Sequence, residues 1–124
     1  MFVMFSAAPP MLIQILNPIS DLQERLNLTL LFISHDLRAV HHVSERIAVM
    51  YLGRIVELAP ADEIYSRPLM PYTRALIAVM PSAAGRRKPA IAGELPSLAN
   101  PPSGCHFRRH CPYAIPECAA ITLS

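Results

Sequence analysis

The sequence predicts an α/β fold, short of the strands of a complete doubly wound sheet, followed by an irregular extension rich in Pro and Cys. Three observations predict it. Apolar residues recur at helical spacing in several stretches of the first 80 positions. A nearly continuous apolar run and a hairpin pattern alternate with those stretches. Beyond position 80 the periodicity stops: residues 81–124 hold seven of the 13 prolines. That segment carries five basic and two acidic side chains, a net charge of +3. Residues 1–80 carry six basic and seven acidic side chains, a net charge of −1. A boundary is therefore expected near Pro81.

Apolar residues make up 52% of the 124, enough to build a core, which excludes wholesale disorder. The overall charge of +2 is too balanced for a nucleic-acid surface, and a chain without Trp offers few stacking platforms. No nucleic-acid partner is expected.

The first twenty residues carry no charged side chain. A membrane span needs about 20 apolar residues, and Pro9, Pro10, Asn17 and Pro18 interrupt this run. A secretory signal needs a basic start, and the first basic residue is Arg25. Residues 1–13 are assigned instead to a disordered or atypical leader. Leu12, Ile15, Leu16, Ile19, Leu22 and Leu26 then recur at helical spacing. An interior proline costs a helix about 3 kcal/mol. The spacing thus predicts a helix starting at Pro18 with Asn17 as N-cap. Residues 11–16 form either a preceding helical turn or a kinked extension.

Leu28–Ser34 suits a strand buried on both faces, as in a parallel sheet. Asp36 can cap a following helix with Leu37, Val40, Ser44 and Ile47 on one face. Ile47–Leu58 reads as a hairpin turning at Leu52-Gly53-Arg54, where Gly53 can take a positive φ. Pro60 to Tyr65 begins a short helix, and Pro71 opens another that Pro81 closes.

Two constellations carry chemistry. His35 stands at the carboxyl end of the expected strand, where open α/β sheets bind ligands. An imidazole there can donate a hydrogen bond to a phosphate; position alone also leaves a plain turn-capping role open. Cys105, Cys111 and Cys118 are spaced C-x5-C-x6-C. An odd count without a signal peptide argues against a secreted disulfide framework and for a reducing cytosol. By spacing alone the trio is either a metal or iron–sulfur site or three free thiols.

The stretch LLFISHDLRAVHHVSERIAVMYLGRIVELAPADEIY closely resembles the C-terminal part of the ATP-binding subunit of ABC transporters. Ser34-His35-Asp36 stands at the switch histidine of the family's H-loop. RPLMPYTRALIAVMP, NPPSGCHF and RHCPYA resemble the extension of the oligopeptide, dipeptide and nickel importer branch. The resemblance runs from about Gln14 to Cys118. It implies an incomplete C-terminal portion of a P-loop NTPase domain over 14–66 and an importer-type extension over 67–124. It implies that His35 contacts the γ-phosphate of ATP, with Mg²⁺, at a site shared with a second ATPase subunit. It further implies membrane permease subunits as partners and a place on the inner face of the cell membrane. Cys105, Cys111 and Cys118 would stand at three of the four ligands of a [4Fe–4S] cluster, with the fourth missing and His110 where the motif has Arg. Arg86, Arg87 and Lys88 read as a solvated linker or a weak anionic-lipid contact.

The sequence contains no G-x-x-x-x-G-K-[ST] loop, no LSGGQ-type signature and no Asp-Glu pair ahead of the strand. Its four glycines and single Lys88 cannot form a phosphate cradle. Loss of single phosphate donors costs about 10²–10³-fold in rate, so ATP hydrolysis by this chain alone is not expected. The expected function is therefore a fragment of an ATP-hydrolysing importer subunit, from a truncated, frameshifted or split reading frame. The rivals are a small metal-binding or regulatory module built on the cysteines, and a non-functional remnant of a transporter gene. A parallel sheet lacking central strands would expose apolar surface, so the isolated chain is expected to be marginally stable or prone to aggregate.

Overall fold

The computed structural model describes residues 9–80 and 96–121. The order is α1 (Pro9–Leu26), α2 (Leu37–Val43), β1 (Arg46–Tyr51), β2 (Arg54–Pro60), α3 (Ala61–Ser66), α4 (Pro71–Ala78) and a 3₁₀ turn at Pro116–Ala119. Residues 1–8, the Pro81 boundary and Arg86–Lys88 lie outside the described residues. α1 begins at Pro9, within the segment assigned to the leader.

Helix α1 runs through Pro18, so neither the expected start there nor the Asn17 cap is realised. Pro18 and Gln14, four residues before it, are both exposed. Water can therefore satisfy the carbonyl that the proline leaves without a donor. The helix ends by a Schellman-type closure. Asn27 adopts φ 50°, and the Leu28 N–H donates to the Gln23 carbonyl at 3.0 Å.

Residues 28–34 do not form a strand. They run without a ladder, and Leu31 and Ile33 are 65% and 51% exposed. A strand exists only through its neighbours, and among the described residues none pairs with this run. Phe32 packs inward against the cluster containing Val40 and Ile47, and Ser34 is buried. The expected parallel sheet is thus replaced by a two-stranded antiparallel one.

Asp36 caps α2: its Oδ1 accepts from the Arg38 and Ala39 N–H groups at 3.0 and 3.2 Å. The helix stops at Val43. Ser44 is its C-cap, and Ile47 belongs to β1 rather than to the helical face. The hairpin forms where the sequence places it. Leu52 and Gly53 both have positive φ, 47° and 75°, the signature of a type I′ turn. Val49 pairs with Glu57 and Met50 with Ile55, leaving Val56 as the extra residue of a bulge.

Strand β1 buries Ile47, Ala48, Val49 and Tyr51, on both of its faces. Val40, Ile47, Val49, Ala61 and Ile64 form the main core. A second cluster joins Tyr51, Met70 and Phe107. Tyr51, Tyr72 and Phe107 make an aromatic triangle with ring centroids 4.5–5.5 Å apart. This triangle seats the cysteine-bearing segment on β1 and α4. Helix α4 starts with Pro71 at its first turn, as expected, and ends at Ala78, short of Pro81.

Candidate functional site

His35 lies between two ordered neighbours. Ser34 is buried, and its Oγ accepts from the Asp36 N–H at 3.0 Å. Asp36 in turn fixes the start of α2. The imidazole is therefore presented from a short turn whose two sides are held, and it is exposed. It stands on the wall of a cavity of about 500 Å³ that runs along β1. The other walls include Leu37, Ile47, Tyr51, Thr73 and Leu76. These are almost wholly apolar.

Tyr51, Tyr65, Tyr72 and Thr73 bring hydroxyls to that lining, and two of them are unsatisfied. Tyr51 is 4% exposed and Thr73 is 1% exposed, and neither Tyr51 Oη nor Thr73 Oγ1 has a hydrogen-bond partner among the described residues. A buried hydroxyl left unmade costs about 1–3 kcal/mol. Burial raises the Tyr51 pKa above its ordinary value, with Tyr72 and Cys105 adding to it, and burial raises that of Tyr72 as well.

The start of α2 is also tied down by Tyr65. Its hydroxyl donates to the Leu37 carbonyl, and its ring packs on His41 at 4.3 Å. Burial, then the nearby Asp36 carboxylate, pushes the Tyr65 pKa up to about 12. His41 Nε2 also stands 3.4 Å from Asp62 Oδ1. His41 is exposed, yet it bridges α2 and α3.

The cavity does not fit a complete holder of Mg²⁺ and ATP. It supplies one imidazole and no lysine or carboxylate among its lining residues. Among the described residues, no group of three or more His, Cys, Asp or Glu side chains could hold a metal ion. The same observation bears on the cysteines. Cys105, Cys111 and Cys118 are partly buried free thiols and are not gathered into one ligand set. Cys105 and Cys111 pack against the Tyr51–Met70–Phe107 cluster. Among the described residues the three thiols are not gathered as an iron–sulfur cluster requires.

Sequence reasoning missed Glu57. Its Oε1 accepts from the Leu69 N–H at 2.8 Å and its Oε2 from the Met70 N–H at 3.1 Å. One carboxylate thereby fixes the start of α4, and with it Thr73 in the cavity wall. An acidic residue alternating with apolar ones on β2 was the only signal, and it names no partner.

The family described as the oligopeptide/dipeptide transporter C-terminal region matches residues 56–118. A putative peptide import ATP-binding protein of Brucella ovis is 51% identical over 109 residues, which are 86% of this chain and 34% of that protein. A probable peptide ABC transporter ATP-binding protein of Sinorhizobium fredii is 52% identical over 110 residues, 86% of this chain and 31% of the relative. The oligopeptide transport ATP-binding protein AppF of Bacillus subtilis is 49% identical over 110 residues, 85% of this chain and 33% of its own length. The chain thus spans about a third of the length of the curated relatives it matches.

Proposed function

Because the chain belongs to the oligopeptide/dipeptide transporter C-terminal region family, we propose that it is the C-terminal portion of the ATP-hydrolysing subunit of an ABC importer for di- or oligopeptides. One observation carries this reading: identity near one half, over 86% of the chain, to proteins named as peptide import or peptide ABC transporter ATP-binding proteins. The parent subunit would pair with a second ATPase subunit and with membrane permease subunits. It would sit peripherally on the inner face of the membrane. Among the described residues no helix is long and apolar enough to cross a membrane.

In this reading the chain contributes a wall of the nucleotide site and not its cradle. His35 donates a hydrogen bond from its imidazole toward a phosphate oxygen as charge develops there. Its exposure and its place on the cavity wall support that role. The phosphate-gripping loop and the Mg²⁺ ligands come from sequence that this chain does not contain. Three features support a face completed by further protein: β1 has one unpaired edge among the described residues, a cavity runs beside it, and two buried hydroxyls there lack partners.

The test is made on a full-length subunit that carries this sequence as its C-terminal part, assembled with its permeases. His35→Ala should lower ATP turnover by about 10²-fold or more with little change in nucleotide affinity. Unchanged turnover would overturn the role assigned to His35.

A further inference from the structure

Helix α2 is too short to hold its own direction. Isolated helices below about 12 residues are marginal, and α2 has seven. Ser34 Oγ accepts from the Asp36 N–H, and Asp36 Oδ1 accepts from those of Arg38 and Ala39. These bonds shape the His35 turn but reach no other element. Tyr65 supplies an attachment. From 28 residues away, its hydroxyl donates to the Leu37 carbonyl, just past His35. Its ring meets the His41 ring with centroids 4.3 Å apart and planes at 44°. Leu37 and His41 lie four positions apart, on one face of the helix. Tyr65 therefore holds α2 at two points of one face.

Tyr65 is itself held. Helix α3 carries Ala61 and Ile64 in the core, and the Ala61 N–H donates to the Glu45 carbonyl at 2.9 Å. With its pKa pushed up to about 12, the phenol keeps its proton and stays a donor at physiological pH. Tyr65 and His35 also stand on the wall of the same cavity. The contact of His41 Nε2 with Asp62 Oδ1 is of a different kind. The Asp62 side chain is 98% exposed, and an ion pair in that setting contributes little.

We propose that Tyr65 is a positioning residue for His35: through the Leu37 carbonyl and the His41 ring it fixes the start of α2, and so the direction in which the imidazole meets a phosphate oxygen. This role presupposes the nucleotide-site reading and gives α3 a part in phosphoryl transfer without contact to nucleotide. A reacting group displaced by about 1 Å can lose up to about 10²-fold in rate. The loss falls on turnover, because His35 acts as charge develops on the phosphate and not in ground-state binding.

The test uses the full-length subunit that carries this sequence as its C-terminal part, assembled with its permeases. It compares wild type, His35→Ala, Tyr65→Phe and the double variant. Tyr65→Phe keeps the ring on His41 and loses only the hydroxyl. It should lower kcat about tenfold and leave the KM for ATP within about twofold. In the His35→Ala background the same change should have no further effect, since no imidazole remains to be aimed. Asp62→Asn should leave turnover unchanged. In the 124-residue chain, Tyr65→Phe should speed amide exchange at Val40, whose N–H closes the first turn onto the Asp36 carbonyl. The expected factor is about five, as for one lost hydrogen bond of ordinary strength.

A purely structural role predicts the same fractional loss of turnover with and without His35. That result would overturn the inference and leave the reading of His35 intact. So would wild-type turnover in Tyr65→Phe, an equal loss in Asp62→Asn, or unchanged exchange at Val40. If His35→Ala itself leaves turnover unchanged, the nucleotide-site reading falls, and the role of Tyr65 with it. The exchange measurement needs neither nucleotide nor permeases, so a variant subunit that fails to assemble does not remove the test.

Discussion

Tyr65 shows how one side chain fixes the surroundings of the candidate site. Its hydroxyl holds the Leu37 carbonyl, just past the His35 turn, and its ring covers His41. Burial and Asp36 disfavour the phenolate, raising the pKa from 10.0 to about 12. A group whose folded pKa is raised contributes stability that is fully present below the unfolded value and lost as pH rises through the folded one. The window here runs from pH 10.0 to about 12. Tyr65→Phe lacks both the hydrogen bond and the titration. Across that window wild type should lose stability relative to Tyr65→Phe, read from denaturation midpoints at several pH values. Two pH profiles that stay parallel would contradict the assignment. Tyr51 and Tyr72 are present in both proteins, so their own shifts cancel in the comparison. Glu57 works at the same scale, fixing two consecutive N–H groups at the start of α4. Its partners lie 12 and 13 residues away. No local pattern reveals a contact of that span, which is why the sequence left it unread.

Among the elements, those governed by local chemistry were legible. The Asp36 cap, the Leu52-Gly53 turn and the Pro71 helix start each depend on a few adjacent residues, and each forms as expected. Two expectations failed because their outcome depends on what surrounds the element. Leu28–Ser34 has the composition of a buried strand, yet no described strand pairs with it. Pro18 looked like a helix start, yet it is tolerated mid-helix where the freed carbonyl faces water. The cysteine-bearing segment, over the described residues 96–121, holds one regular piece, a short 3₁₀ turn. Its attachment came as a structural finding. Phe107 is 2% exposed and inserts against Tyr51 and Tyr72, far from it in sequence. Large-to-small changes at such aromatics cost about 3–5 kcal/mol. Phe107→Ala should therefore lower the denaturation midpoint and speed tryptic cleavage after Arg108 and Arg109. Unchanged protection there would show that the segment is not held by this ring.

Taken as a whole, the molecule has the interior of a small domain and the exterior of a part. Its core runs from α2 through β1 to α3 and α4. Around it, Ile15, Leu22 and Leu26 line an exposed stripe of α1, and Leu28, Leu31 and Ile33 follow it. Ile55 and Leu58 extend the exposed apolar surface on β2. Apolar side chains gathered in this way mark surfaces that other protein covers. The same logic applies to the candidate site, which holds a histidine and two partnerless hydroxyls beside a cavity without a cation to grip phosphate. His35 is singled out only by the long composite pattern around it; its position at the end of an apolar run suits a capping role equally well. The central claim is that this chain carries a wall of a nucleotide site and lacks the phosphate cradle. Equilibrium binding of labelled ATP to the purified chain, with Mg²⁺ and with turnover followed in parallel, tests it most directly. The account predicts no saturable binding and no phosphate release above buffer; saturable binding with hydrolysis that survives removal of contaminating ATPases would contradict it.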